Sequence, residues 1–406
     1  MRVVDLIRNI ERKLKMKKAL IVTHVSGFVP QFEMNNVKLL QELGYEVHYA
    51  SNFNNVSYGT DNSRLEGTGI VCHQVDFARS PFEFRNNRSA YRQLKQVMRE
   101  QHFELVHCHT PVGGVYARLA ARKHRKNGTR VIYTAHGFHF YKGAPLKFWL
   151  VAYPMEWLLA HVTDTLITIN EEDFINAQKL RLASKSGQRG RAYKINSVGV
   201  DLKKYEKTQT EKKELQKTKR KEFHIPEDAF LVVSAGELNW NKNHTVVVEA
   251  LAKLQQENIY YVICGEGIEK CALLEQAKTF GMEGKVILPG YRMDLPEIFC
   301  AADALAFPSL REGLGLVAVE AMAAGLPVAA LDNRGSREYM KDGYNGFVIK
   351  KNSSDEMAEA IRKLYDMWRN DKSSYQRLSR NCKKTAERFS KEYVGKQMRE
   401  IYHAEH

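Results

Sequence analysis

The chain lacks the marks of several large functional classes. Its six cysteines (72, 108, 264, 271, 300 and 382) form no C-x-x-C pair and no zinc spacing. That excludes a disulfide scaffold and a zinc module, and the thiols read as reduced and mostly buried, as in a cytosolic protein. No D-x-D occurs, so the usual acidic holder of a catalytic Mg²⁺ or Mn²⁺ is missing. There is no G-x-G-x-x-G, and no G-K-[ST] of a P-loop. Long uninterrupted apolar runs are absent too. The most apolar windows, 148–169 and 301–331, carry Glu156, Asp164, Arg311 and Glu312, so no membrane-crossing helix is expected. Arg and Lys interrupt residues 1–18, and no secretory signal is expected there.

What is present is ordinary in amount and uneven in placement. A length of 406 residues, 44% hydrophobic and 27% charged, suits two globular domains with full cores. The net charge is +15. Residues 1–200 hold 29 Lys/Arg against 16 Asp/Glu, and residues 201–406 hold 33 against 31. A uniformly basic nucleic-acid binder would not divide this way, so no nucleic-acid partner is expected. A basic half points to an anionic membrane surface or an anionic acceptor, with a plain solvated face as the alternative. Residues 1–18 space Val3, Leu6, Ile7, Ile10 and Leu14 among seven cations. This predicts a basic amphipathic helix suited to an anionic leaflet, or one packed on the protein.

The stretch 301–331, AADALAFPSLREGLGLVAVEAMAAGLPVAAL, organises the rest. A strand over 304–307, a turn holding Glu312-Gly313-Leu314-Gly315, a helix over 316–324, a stop at Gly325 and a strand over 327–331 make one βαβ unit. Its glycines let backbone approach a ligand, and the helix N-terminus offers N–H groups to an anion. Glu312 and Glu320 bracket turn and helix. Eight residues of helix rise about 12 Å. That is long for a glycosidase pair, which needs roughly 5–10 Å, but it suits two contacts on one extended ligand.

Elsewhere the chain alternates strands and helices. A strand over 19–23 ends at Ser26-Gly27, where ligands collect in an open parallel sheet; a helix over 31–43 and a strand over 46–50 follow. A strand over 105–107 leads into His107-Cys108-His109, and the two histidines are expected on opposite faces and so not to share one metal. A strand over 131–134 precedes His136 and His139. Residues 184–194 read as a polar loop, and 203–222 as a solvated helix or linker. A second domain opens with the strand 230–234 and the turn Gly236-Glu237, then Lys242-Asn243. Further turns follow at Gly265 and at Tyr291-Arg292. Two helical runs close the chain over 354–405.

The seventeen residues EGLGLVAVEAMAAGLPV resemble the E-x7-E signature of retaining family-4 glycosyltransferases of the GT-B fold. TAHGFHFYKGAP resembles that family's histidine loop, and INSVGVD its interdomain crossing. The segment 236–242 resembles G-R-L-x-x-x-K, with Lys242 in place but Glu237 where Arg is usual. The likeness spans about residues 19–405 and points to the exopolysaccharide or capsule type. It implies an α/β architecture of two Rossmann-like parallel-sheet domains with a cleft between them. The expected division is 1–18, the N-terminal helix; 19–197, an acceptor domain; 198–385, a nucleotide-sugar domain; and 386–406, a helix returning to the first domain.

The resemblance also implies roles. Glu320 would hold ribose hydroxyls and Glu312 the donor sugar. Lys242, the amides of Gly313, Leu314, Gly315 and Leu316, and Arg292 or Arg311 would meet charge on the leaving diphosphate. Gly27, Gly236, Glu237, Asn243, Gly265 and Tyr291 complete the donor-contacting set. His136 would hydrogen-bond the sugar near its reacting centre, with His139 as the alternative; Ser26, His109 and His139 lie on the acceptor side. The donor is expected to be a UDP-sugar carrying a hexose or N-acetylhexosamine, with no metal or other cofactor. The acceptor is expected to be a polyprenyl-diphosphate-linked saccharide, and the place the cytoplasmic face of the plasma membrane. Two rival classes remain: a nucleotide-sugar epimerase on the same fold, and a non-catalytic sugar-nucleotide binding protein.

Overall fold

A computed structural model describes residues 16–57, 61–80, 83–182, 190–254 and 257–404. The chain divides into two compact units: residues 1–198 with 394–406, and residues 199–393. Each is built on one all-parallel sheet, and the alternation of apolar strands with helices dictates this, since parallel neighbours need a crossover.

The first unit has seven strands: β1 (Lys17–Val22), β2 (Tyr45–Ser51), β3 (Val71–Gln74), β4 (Leu105–His109), β5 (Arg130–Ala135), β6 (Thr165–Thr168) and β7 (Arg191–Lys194). Their order is β3-β2-β1-β4-β5-β6-β7. β4 and β5 are buried along their whole length, as the central strands of a sheet covered on both faces must be. The core gathers Leu20, Val22, Val106, Val131, Tyr133 and Leu166 against the helices Phe84–Glu100 and Pro111–Ala121.

The second unit has six strands: β8 (Phe230–Ala235), β9 (Ile259–Cys264), β10 (Val286–Gly290), β11 (Ala304–Phe307), β12 (Val328–Leu331) and β13 (Gly346–Ile349). Their order is β10-β9-β8-β11-β12-β13. Both sheets therefore reverse direction beside their first strand, at β1/β4 and at β8/β11. In a doubly wound sheet the crevice for ligands opens at the carboxyl ends of those two strands.

Several sequence expectations need correction. β1 begins at Lys17, so the last two residues of the expected N-terminal helix are strand; residues 1–15 lie outside the described residues. The helix expected over 31–43 instead opens with a π-type turn, Val29–Glu33, and becomes regular only over Met34–Glu42. Residues 191–194 form the edge strand β7, not loop. The helix reading of 203–222 holds over Gln209–Glu222, started by a Thr208/Glu211 capping box, but the helix is not wholly solvated. Its Lys219 and Arg220 are buried. Arg220 donates to Asp303 Oδ2 at 2.7 Å and to the Ala301 carbonyl at 2.9 Å. A lysine-rich segment thus packs through its long side chains, which composition alone could not show. The C-terminal segment holds three helices, Ser354–Asn370, Lys372–Glu387 and Lys391–His403, not two. Among the described residues no helix is long and apolar enough to cross a membrane.

Each unit buries an ion pair. In the first, Arg118 grips Glu156 with two hydrogen bonds of 2.7 and 3.0 Å, its guanidinium 3.9 Å from the Tyr133 ring centre. Removing one partner strands the other charge in the core. Arg118→Ala should therefore lower stability by about 3–5 kcal/mol, read from the shift of the urea unfolding transition. A loss below about 1 kcal/mol, as at an exposed pair, would contradict this account.

Candidate active site

In the second unit the E-x7-E segment folds as its spacing indicates. The turn after β11 carries Glu312, the helix Leu316–Ala324 follows, and Gly325 ends it in the left-handed region at φ +90°. Gly315 starts the helix with φ +84°, and a Cβ there would fall 2.3 Å from Phe307 Cζ. Only glycine satisfies both the torsion and the contact.

Glu312 does not stand alone. Lys242 Nζ lies 2.6 Å from its Oε1, both side chains mostly buried. Lys242 leaves the turn after β8, where Gly236 lets its aliphatic stem lie against backbone: a Cβ on Gly236 would sit 3.1 Å from Lys242 Cε. The two halves of the motif, 70 residues apart in sequence, thus meet at the strand-order reversal. A cation and a carboxylate held this close can serve neighbouring groups of one ligand, an anion and a hydroxyl.

Glu320 differs. Among the described residues no hydrogen bond or ion pair reaches its carboxylate. Burial of that carboxylate raises its pKa to about 7, with Lys204 opposing weakly. It is a free acceptor for hydroxyl donors.

Other residues expected to contact the donor are committed to structure. Asn243 is buried, its amide donating to the Pro308 carbonyl and to Asn352 Oδ1. Arg292 is bound to Asp294 and Glu222, each at 2.6 Å, so its charge is spent inside the unit. Gly265 allows the stacking of two turns, since its Cβ would overlap the Gly236 carbonyl at 1.8 Å. Glu237 and Tyr291 are exposed. Arg334 was missed: its Nε donates to the Glu312 carbonyl at 3.2 Å. It sits in the Asn333–Ser336 turn after β12, and its place at a strand's carboxyl end was the available signal.

In the first unit the π-type turn buries Glu33, which the sequence reading passed over. His109 Nδ1 lies 3.4 Å from Glu33 Oε1 and 3.2 Å from His136 Nε2, and His136 Nε2 is 4.0 Å from the same oxygen. Burial raises the Glu33 carboxyl to about 8, against the lowering hydrogen bond from Asn36, and lowers His136 to about 4. His109 is pushed well down for the same reason. Desolvation thus favours the neutral form of all three groups. One oxygen and two nitrogens within 4.8 Å are also a set that a borderline divalent ion accepts.

The expectation that His107 and His109 face apart is wrong. Residues two apart on a strand share a face, and the two rings lie 4.1 Å apart. His107 is structural, held between Tyr402 Oη and Thr134 Oγ1, each at 2.8 Å. His139 is exposed against Phe148 and does not join the cluster. Ser26 and Gly27 also serve structure: the Ser26 hydroxyl donates to Asn62, and a Cβ on Gly27 would strike the Ser57 carbonyl at 1.8 Å. The histidine loop is pinned by Asp173, whose Oδ2 accepts the Phe138 N–H at 3.1 Å.

Two doubly wound parallel sheets, one carrying an E-x7-E anion seat and the other a buried histidine cluster, define a GT-B glycosyltransferase. Comparison with known proteins agrees. Residues 215–385 match the family model for glycosyl transferases group 1, and residues 17–170 the model for glycosyl transferase 4-like proteins. The chain is 39% identical over 391 residues to the glycosyltransferase-family protein EpsD of Bacillus subtilis (strain 168), covering 96% of this chain and 97% of that one. It belongs to this glycosyltransferase family. It is also 24% identical to the UDP-Gal:alpha-D-GlcNAc-diphosphoundecaprenol alpha-1,3-galactosyltransferase of Escherichia coli, covering 87% and 88% of the two chains. The fold matches that of Anabaena HepE, solved in complex with UDP-glucose, with a TM-score of 0.75 at 20% identity, covering 96% and 99%.

The Glu33 carboxyl sets a pH dependence. In the unfolded chain it releases its proton near 4.5; in the folded protein it keeps it to about 8. The folded state binds the extra proton, so Glu33 lowers stability progressively as pH rises between those values. Glu33→Gln lacks this slope. Its melting temperature relative to wild type should climb from pH 5 to pH 8, and a pH-independent difference would show that Glu33 is ionised and paired.

Proposed function

We propose that the chain transfers a hexose or N-acetylhexosamine, with retention of anomeric configuration, from a UDP-sugar to a polyprenyl-diphosphate-linked saccharide. The work belongs to cell-surface polysaccharide synthesis, at the cytoplasmic face of the membrane. The observation that carries this reading is the Lys242–Glu312 pair set before a helix whose Glu320 is unengaged. The names of the Escherichia coli relative and the HepE complex support the choice of UDP and of a lipid-linked acceptor.

In this mechanism Glu320 accepts the ribose hydroxyls and Glu312 the hydroxyls of the donor sugar. Lys242 and the amides of Gly313–Gly315 stabilise charge gathering on the diphosphate as the glycosidic bond breaks. The acceptor hydroxyl attacks from the face of departure, and the leaving phosphate oxygen takes its proton. No carboxylate nucleophile is needed. Neutral His136 acts by hydrogen bonding to the reacting sugar. Its low pKa suits that role and not a general acid's. With Arg292 spent elsewhere and Glu237 unable to bind phosphate, Lys242 and the helix N-terminus bear most of the leaving-group charge, without a divalent ion.

UDP should raise the melting temperature more than GDP or ADP, and Glu320→Ala should abolish the rise. A preference for GDP or ADP would overturn the donor, and no shift with any nucleotide would favour a non-catalytic reading. Product formed without any acceptor would indicate an epimerase. His136→Ala should reduce kcat roughly 100-fold with little change in donor KM, as for loss of one transition-state hydrogen bond. Activity should survive EDTA. Loss in EDTA with recovery on adding Mn²⁺ or Zn²⁺ would reverse the metal-free reading and make Glu33, His109 and His136 the first place to look.

A further inference from the structure

The helix Leu146–Ala160 breaks the usual rule for a surface helix. It is apolar on every side, and the face turned to solvent is no exception. Leu146, Leu150, Val151, Trp157 and Leu158 are 70%, 67%, 48%, 41% and 63% exposed. With Pro154 they recur at the three- and four-residue spacing that puts them on one face. Thirteen residues of helix make this stripe about 20 Å long. At its C-terminal end, Trp157 and Leu158 join the exposed Leu119 in one groove, whose rim carries Arg122 and Lys126. The opposite face packs inward, and its Glu156 is neutralised by Arg118.

Positive charge dominates around the stripe, although the Glu172 carboxylate accepts the backbone N–H of Lys142 at its edge. From Leu105 to Val162 the chain holds eight Lys/Arg and a single acid, Glu156. Arg118, Arg125 and Arg130 are engaged in the fold: with Glu156, with Asp164, and with the Ile401 and Tyr402 carbonyls. Arg122, Lys123, Lys126, Lys142 and Lys147 are exposed. Among the described residues none of those five side chains is in an ion pair. An apolar stripe with an amphipathic Trp and a mainly cationic border matches the boundary of an anionic lipid leaflet, acyl chains beneath and headgroups beside. A second copy of the chain fits poorly, because a two-fold contact here would set the cationic borders against each other.

We propose that the outward face of Leu146–Ala160, with its border of Arg122, Lys123, Lys126, Lys142 and Lys147, is a docking surface for an anionic membrane leaflet. This deepens the lipid-linked acceptor reading and rests on it for the purpose of the contact. The first unit lies on the leaflet through this helix, and binding does not depend on residues 1–15.

The test is flotation of the full-length protein with vesicles of phosphatidylethanolamine and phosphatidylglycerol, alongside vesicles of phosphatidylcholine alone. Wild type should float with the anionic vesicles and much less with the neutral ones. Leu150→Glu/Leu158→Glu alters two exposed side chains. It should reduce the bound fraction at least tenfold while keeping the wild-type melting temperature and UDP-induced shift. Undiminished flotation of that variant would overturn the proposal. So would loss of flotation on deleting residues 1–15 alone, failure of wild type to float, or a wild-type dimer that the double variant converts to monomer. Transfer to a short, water-soluble prenyl-diphosphate saccharide is assayed in parallel. If the double variant loses flotation and no such transfer occurs even in wild type, the docking surface stands and the acceptor reading fails.

Discussion

In both sheets the strand order reverses beside the first strand, so two connections leave the same edge in opposite directions and no helix can cover the gap. That constraint places the chemistry. In the second unit the turns leaving β8, β9 and β10 continue the sheet as a short ladder of backbone hydrogen bonds, Gly236 N–H to the Cys264 carbonyl and Gly265 N–H to the Gly290 carbonyl. Side chains at Gly236 and Gly265 would prise the turns apart. Kept flush, they leave Lys242 a path across the edge to Glu312. The glycines matter here less for their torsions than for the thinness they give the sheet's rim.

The two units solve opposite electrostatic problems. The second keeps a charged pair, Lys242 and Glu312, at a partly exposed rim where an anionic ligand can compete for the lysine. The first sets a buried carboxyl beside one buried and one half-buried imidazole, and desolvation favours the neutral form of each. A neutral cluster attracts no phosphate. It can orient hydroxyls, which carry little charge until the bond to the leaving group breaks. Among the described residues no hydrogen bond reaches His109 Nε2. Strongly desolvated imidazoles of this kind cluster at functional sites.

Much of this was legible in the sequence. The strands β8, β11 and β12, the E-x7-E helix and its Gly325 stop lie within a residue or two of their expected limits, because apolar runs bounded by glycine and proline have few alternative folds. The meeting of Lys242 with Glu312 followed from motif resemblance and would not have followed from spacing. What the sequence hid were contacts between side chains far apart in the chain. Glu33 looked like one more polar residue on an amphipathic helix, and only the π-type turn buries it beside His109. Arg220 looked solvated among lysines until Asp303 was found beneath it. Arg292 and Asn243 carried the right chemistry for a ligand, and local partners consume both. The His107–His109 error was one of geometry, not of hidden information.

The first unit is assembled from two stretches of chain that synthesis separates widely. Arg130 on β5 donates to the carbonyls of Ile401 and Tyr402, and His107 on β4 hydrogen-bonds the Tyr402 hydroxyl. These three bonds close the underside of the strands that lead to His109 and His136. The second unit, by contrast, is one continuous run of residues. During translation the first unit therefore keeps an open seam until residues 394–406 are made, although most of its residues come first. The helix Lys391–His403 ties the closing of the first unit to residues that follow the second unit in the chain.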